Sequence, residues 1–511
     1  MKITEGKERI LKHYPDLLSD ESKYTDGVPS KICFPESAKD ISNILKEAFK
    51  TSTPVTLSGA RTGVTGGASP IDDSVLISFS KMNRILSCDW IDENTPVLYC
   101  EPGVTLKEID DFLLNPRSWP SKVKGSENLA PGRFFYPPDP TESSAQLGGT
   151  VATNASGARS YYYGPTRSYI ESLQVVVFPD QTIDLKRNSP NNESNTINYF
   201  NFLNDASFKD LTSPCIKNAS GYYLHKDMEP LDLFIGSEGT LGVISKIGIK
   251  LTKRVDLTGG LTFFPCNDTA FDFADYLRTI KFVTAIEYFD SSALRLFSTP
   301  YKPSNLTVPQ FPEKMNCAIY WEYIENDEAP FESIFEKWEQ ILKQCKSSFE
   351  LTWSGFDPQE MKRLKEFRHA VPELVNMVVN YNQQKDPGIR KFSTDSSIPH
   401  SKFRLWFKEC VELLKKEPIQ YAAFGHLGDY HLHINILPQS SKELKRSEAL
   451  YHKFMKSACL AGGTISAEHG VGKLKKSYLK YMYGLDSINT MKAIKQKFDP
   501  QSLLNRGVLF E

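Results

Sequence analysis

The sequence predicts an α+β protein with its chain divided between more than one core, and three observations carry that prediction. At 511 residues and about 150 residues per ordinary domain, the length implies roughly two to four domains. A strand–helix–strand order runs from residue 31 to a strand that ends near Leu251. After a linker at Arg254 to Leu257 the same order begins again. With 40% hydrophobic and 24% charged residues the chain has the material for large cores. Lys+Arg total 61 against 62 Asp+Glu, a net charge of −1, which excludes bulk-charge binding of nucleic acid or anionic membrane and leaves only local patches.

Residues 31–67 read as strand, helix, strand and glycine loop. The helix follows Pro35 and places Ile41, Ile44, Leu45, Ala48 and Phe49 on one face. A strand from Thr53 to Leu57 leads into SGARTGVTGG, 58–67. Residues 74–113 predict one strand and a helix over LKEIDDFL. The glycine- and proline-rich passage 134–160 is too long for an idle connection. Residues 171–185 read as a hairpin and 187–196 as an exposed loop. Val243, Ile247, Ile249 and Leu251 alternate with Lys246 and Lys250, predicting a half-buried strand. The second domain continues with LTGGLTFF, a helix near 268–280, a strand near 282–289, CAIYWEYI and a helix near 330–345. Helices are expected over 446–460 and 475–499.

Nine scattered cysteines with no CxxC point to buried free thiols in a reducing compartment rather than to a disulfide scaffold or a thiolate metal site. The N-terminus lacks an apolar signal core and no segment reaches about 18 apolar residues, so the expectation is a cytoplasmic protein without a membrane span.

Three glycine loops are the first chemical signal. SGARTGVTGG fits neither GxGxxG nor GxxxxGK[ST], so the usual dinucleotide fold and the P-loop are disfavoured. PPDPTESSAQLGGTVATNASGAR (137–159) and FIGSEGTLGVI (234–244) supply short donors and little bulk, which suits a backbone-lined groove around an extended, phosphorylated cofactor. One such loop is as well explained as a turn, but three together are not.

The second signal is FGHLGDYHLHINIL, 424–437. Alternation from 431 puts His431, His433 and Asn435 on one face and Leu432, Ile434 and Ile436 on the core face. With Gly428-Asp429 as the turn, His426 is expected opposite His431 for a two-residue turn and opposite His433 for a four-residue turn. Either places two imidazoles at metal-ligand range, and Glu468 in TISAEHGVGK (464–473), with His469 beside it, offers a carboxylate.

In order, DPT…GGTVATNASG, KNASGY (217–222), GSEGTLG, GHLGD…LH, AEHGVGK and FDP…LLN resemble the FAD-dependent D-2-hydroxy acid dehydrogenases, the D-lactate, glycolate and D-2-hydroxyglutarate dehydrogenases. The resemblance implies a flavin domain of the vanillyl-alcohol oxidase / p-cresol methylhydroxylase (PCMH) type over 1–255. It further implies an α+β substrate-binding cap over 256–465 and a segment 466–511 that returns to the flavin site. It implies a pyrophosphate cradle of Ser58, Gly59, Ala60, Arg61, Thr62 and Gly63, and a flavin-wrapping stretch of Pro138, Asp139, Thr141, Gly148, Gly149, Thr153, Asn154, Ser156 and Gly157. Glu238, Gly242, Ile244 and Asn505 complete the implied FAD contacts. His426, His433 and Glu468 match metal ligands, favouring the register that opposes His426 to His433, and His469 matches the base. Arg368 and Asn435 match substrate contacts, and Lys391 aligns less firmly.

The sequence departs from the family in four places. GDYHLH replaces GDGNLH, which leaves His431 open as ligand, outer-sphere group or substrate contact. Arg61 stands where many relatives have glycine, and Asn505-Arg506 replaces Asn-Pro. No His or Cys occupies the phosphate loop, so FAD is expected to be non-covalent. The implied reaction is oxidation of a D-2-hydroxy acid, D-lactate first, with D-2-hydroxyglutarate and glycolate as alternatives. A divalent metal, zinc first and Mn2+ or Fe2+ next, would assist it. A metal hydrolase and a non-catalytic flavin-binding subunit are the remoter alternatives. The electron acceptor (quinone, cytochrome, electron-transfer flavoprotein or oxygen), peripheral membrane contact and a homodimer stay open.

Overall fold

The computed structural model describes residues 1–189, 200, 214, 216–300, 302–303, 306–325 and 330–511. The chain forms two compact units: 1–156, 164–254 and 466–511 make the first, and 157–163 with 255–465 the second.

In the first unit, strands Lys31–Phe34, Val75–Ser78 and Val55–Ser58 pair in parallel, with Lys2–Glu5 antiparallel on the outer edge. An antiparallel sheet runs in the order Ile85–Asp92, Thr95–Cys100, Val243–Lys250, Ile170–Val177, Gln181–Lys186. Helix Ala38–Thr51 starts at Ser37, whose side chain accepts from the Asp40 amide, and ends at Ser52 in the left-handed region. Its Ile41, Ile44, Leu45 and Ala48 join Val55, Ile77, Val176, Val243, Leu503 and Leu504 in one core. The chain end is therefore part of this core. Leu503 O accepts from the Val55 amide and the Asn505 amide donates to Val55 O, both where that strand begins.

The second unit is built on an antiparallel sheet in the order Thr352–Gly355, Leu257–Phe264, Cys317–Ile324, Val283–Asp290, Gln420–His426, His431–Leu437, Phe392–Ser393. One face packs Trp321, Trp338, Phe271, Phe407 and the core-facing Leu432, Ile434 and Ile436. The other meets Phe367, Val371, Leu374 and Val378 of helix Pro358–Lys385, which is capped by Asp357 and carries Pro372 inside it. Segment 157–163 belongs here because Arg159 donates twice to buried Glu322 and Ser160 Oγ bonds Asp429.

Several expectations need revision. Residues 74–113 contain three strands rather than one, because the Ile85–Asp92 strand shows no clean alternation. The Val243–Lys250 strand is buried nearly throughout: it is central in its sheet, and only Lys246 and Lys250 reach partial exposure. The tail helix Leu479–Phe498 kinks at Gly484. Most of the expected loop at 187–196 lies outside the described residues. The eight described cysteines are free thiols, and no helix among the described residues is long and apolar enough to cross a membrane.

Candidate functional site

In the first unit the glycine loops converge. Loop 58–67 leaves a strand end and lies close to the 146–157 stretch, so that a Cβ on Gly59 would stand 3.3 Å from Gln146 Oε1. The third loop docks on the second: Gly236 N donates to Val151 O and Glu238 N to Ala152 O. Arg61 and Asn154 have positive φ (62° and 48°), which turns neighbouring amides to one side. Ser58 Oγ, Gln146 Oε1 and Ser156 Oγ are buried without a protein partner. Buried oxygens of this kind cost free energy unless something bonds them, and a phosphate- and ribose-bearing ligand does. The donor set therefore fits FAD.

The other expected FAD residues divide by role. Pro138 is buried and Asp139 half-buried, while Thr141 and Gly149 are exposed. Thr153 Oγ1 donates to Gly149 O, and Asn154 Oδ1 accepts from the Arg167 amide, so both brace the loop itself. Gly148 packs against Pro102, and Gly242 and Ile244 lie against Val175. The Glu238 carboxylate accepts from the amides of Val471 and Gly472. Burial pushes its pKa up to about 7 against those two bonds. Asn505 accepts from Leu57 N through Oδ1 and donates to Glu238 O through Nδ2. These two side chains hold the start of loop 58–67 and the 470–472 turn in place.

The AEHG turn belongs to this unit. Ser220 Oγ donates to Ser466 O and accepts from the Ser466 amide, and Ala219 N also donates to Ser466 O. Glu468 is 9% exposed and its Oε2 pairs with Lys217 Nζ at 3.0 Å. His469, with its side chain 35% exposed, lies 3.6 Å from the other Glu468 oxygen. Lys217 was not singled out from the sequence, although it opens the KNASGY motif.

In the second unit the histidines sit on the sheet face opposite the aromatic core. Phe424 pairs with His433, and the same register carried to the turn at 427–430 brings His426 against His431, with ring centroids 5.2 Å apart. The expected opposition of His426 to His433 is thus corrected. Two-residue and four-residue turns centred on Gly428-Asp429 pair the same residues, and His433 reaches His426 diagonally, at 5.8 Å. Gly425 lies between them: a Cβ there would be 3.3 Å from His433 Cδ2 and 3.0 Å from His431 O.

Two of the imidazoles are oriented by an acceptor, and the third lies beside a carboxylate. His426 Nδ1 donates to Glu287 Oε1 at 2.7 Å from the neighbouring strand, where Glu287 and His426 are register partners. His433 Nδ1 donates to Thr394 O at 3.1 Å. His431 Nε2 stands 3.0 Å from Asp395 Oδ1. The three rings are buried and each offers a ligand atom within 4.8 Å of the others. A cluster of buried imidazoles, two of them held from behind by an oxygen, fits a first-row divalent cation.

Arg368 is 6% exposed and its Nε donates to Glu287 Oε2 at 3.3 Å, which makes a buried Arg368–Glu287–His426 chain. Burial raises the Glu287 pKa, but His426 and Arg368 outweigh it and hold the carboxyl below its usual range. Asn435 Nδ2 lies within bonding distance of Ala422 O and His433 O. Lys391 is turned elsewhere, donating to Asn376 at the surface. Glu287 and Asp395 escaped the sequence reading because an isolated acidic residue in a strand or loop carries no spacing signal.

Residues 259–509 match the family model for FAD linked oxidases, C-terminal domain, and residues 29–121 and 126–184 match an FAD binding domain. The chain belongs to the FAD-linked oxidase family. It is an FAD-dependent oxidoreductase of the class acting on CH–OH donors, to which its named relatives belong. It is 28% identical to D-2-hydroxyglutarate dehydrogenase of Stutzerimonas stutzeri over 96% of this chain and 93% of that one. It is 28% identical to D-lactate dehydrogenase of Archaeoglobus fulgidus (93% and 89%) and 26% identical to the glycolate oxidase subunit GlcD of Bacillus subtilis (96% and 91%). Among solved structures an alkyldihydroxyacetonephosphate synthase aligns with TM-score 0.65 at 17% identity, covering 98% of this chain and 81% of that one. The fold is α+β, with a PCMH-type FAD-binding domain and an α+β second domain.

Proposed function

We propose that this FAD-linked oxidoreductase oxidises a D-2-hydroxy acid, D-lactate first, to the 2-oxo acid with the help of a divalent metal, zinc before Mn2+ or Fe2+. The observation that carries the reading is the cluster of buried, carboxylate- and carbonyl-backed imidazoles in a flavoprotein. Structural flavin domains have no need of it. His426 and His433 hold the metal together with Glu468, and the residues of loops 58–63 and 138–157 hold FAD without a covalent bond. When bound, FAD supplies a hydride acceptor and the metal a Lewis acid that acidifies the substrate hydroxyl.

His469 takes the hydroxyl proton as hydride leaves Cα. Arg368, fixed in orientation by Glu287, pairs with the substrate carboxylate. Asn435 contributes a polar contact beside it, whereas Lys391, bonded to Asn376 at the surface, takes no part. Glu238 and Asn505 serve the cofactor through the loops they brace. The eight free thiols support a reducing, cytoplasmic setting. The electron acceptor is a quinone, a cytochrome or an electron-transfer flavoprotein.

The test is anaerobic reduction of the purified flavoprotein by D- and L-2-hydroxy acids, with and without chelator. Bleaching by D-lactate, abolished by chelation and restored by added metal, is the expected result. Faster bleaching by D-2-hydroxyglutarate or glycolate moves the substrate assignment, and no bleaching by any 2-hydroxy acid overturns it.

A further inference from the structure

We infer that the metal site of this chain is built on three imidazoles, with His431 as an additional ligand that Asp395 aligns. The inference rests on the proposed reading in which His426 and His433 are ligands, and it concerns the third imidazole of the same sheet face.

The argument begins with burial. His431 is 0% exposed and Asp395 1%. Placing an imidazole and a carboxylate together out of water carries a desolvation cost that ordinary packing does not require. The pair sits inside a site, since the His431 ring is 4.5 Å from His433 and 5.2 Å from His426. Glu287 bonds His426 at Nδ1 and Thr394 O bonds His433 at Nδ1, while Asp395 Oδ1 stands 3.0 Å from His431 Nε2 and within 4.8 Å of a His433 ring nitrogen. An acceptor behind one ring nitrogen fixes the tautomer and aims the opposite nitrogen, the usual arrangement behind metal-bound histidines.

The backbone is adapted to the same end. Tyr430, immediately before His431, is held at φ 49°. Its hydroxyl donates to Asp275 at 2.6 Å, and its ring stacks on His400 and lies under Arg278. Ser397 Oγ donates to Asp429 O on the other side of the turn. These contacts pin the turn that delivers His431.

The experiment uses the full-length flavoprotein loaded with zinc or with cobalt(II) alone. X-ray absorption of the wild-type protein counts imidazoles at the metal: three are expected, and two would overturn the proposal. Chelator competition then ranks variants. Asp395→Asn should lower zinc affinity about 10–100-fold. His431→Asn should lower it further and alter the cobalt(II) visible spectrum. FAD content should be unchanged in both. Wild-type affinity and spectrum in His431→Asn would remove His431 from the site. If wild-type protein binds no metal, or His426→Ala and His433→Ala bind it normally, the underlying reading fails instead, and the two failures are told apart.

Discussion

The two units make their sites from opposite materials. The first uses backbone: glycine loops, positive-φ turns and short hydroxyl side chains, with its charged residues Glu238, Lys473 and Lys495 spent on holding loops and chain end together. The second uses side chains: three imidazoles on one sheet face, with two carboxylates and a guanidinium packed beside them. A large, rigid, anionic cofactor is gripped well by many weak amide contacts, whereas bond-making chemistry needs few groups placed to within a fraction of an ångström. The lesson is that damage should separate. Changes to side chains in the second unit should spare flavin content, and changes to the loops of the first should not.

The largest separation is expected at His469, which lies in the first unit and yet is assigned to chemistry. His469→Ala should keep its flavin and lose substrate-driven flavin reduction by about 10²–10⁴-fold, read by anaerobic stopped flow. Normal bleaching would return the base to another residue.

Glu287→Gln comes next. It strands buried Arg368 and weakens the anchor of His426. The expected cost is about 3–5 kcal/mol of stability and about 10–100-fold in metal affinity, with FAD retained by absorbance. Loss of flavin together with metal would break the contrast between the units.

Glu238 makes a pH prediction for the first unit. Its folded pKa, raised to about 7 by burial, lies above the ordinary 4.5. Its contribution to stability is therefore complete below about pH 4.5 and is lost as pH rises through about 7, amounting to about 3 kcal/mol. Melting temperature should fall over that window, and Glu238→Gln should flatten the fall; equal slopes in the two proteins would show that another group titrates.

Arg61→Gly is the smallest change. At φ 62° an arginine carries a backbone cost of about 1–2 kcal/mol that glycine does not. The variant should melt slightly higher and release FAD a few-fold more readily, measured by flavin fluorescence. Unchanged FAD affinity would show that the guanidinium does not reach a phosphate.

Much of this was legible in one dimension because the relevant residues lie close in sequence. The helix 38–51 showed its buried face through periodicity, the glycine loops showed themselves by composition, and the imidazole face of 431–435 by alternation. The 28-residue helix Pro358–Lys385, which carries Arg368, did not, since an internal proline and a mixed polar pattern blur its period. Glu287 and Asp395 were silent for another reason: one reaches the histidines from a neighbouring strand and the other from a loop, and no spacing rule connects residue 287 with 426 or 395 with 431.

By itself the sequence determined the α+β character, the near-neutral charge, the glycine-loop composition and the candidate site side chains, because these depend on residue type and local period. Only the tertiary structure decided the register of the histidine hairpin, the membership of segment 157–163 in the second unit, and which side chains bond loops or one another. Those depend on hydrogen-bond partners distant in the chain. An imidazole, a carboxylate or an asparagine has the same local signature whether it is aimed at a ligand or at its own backbone.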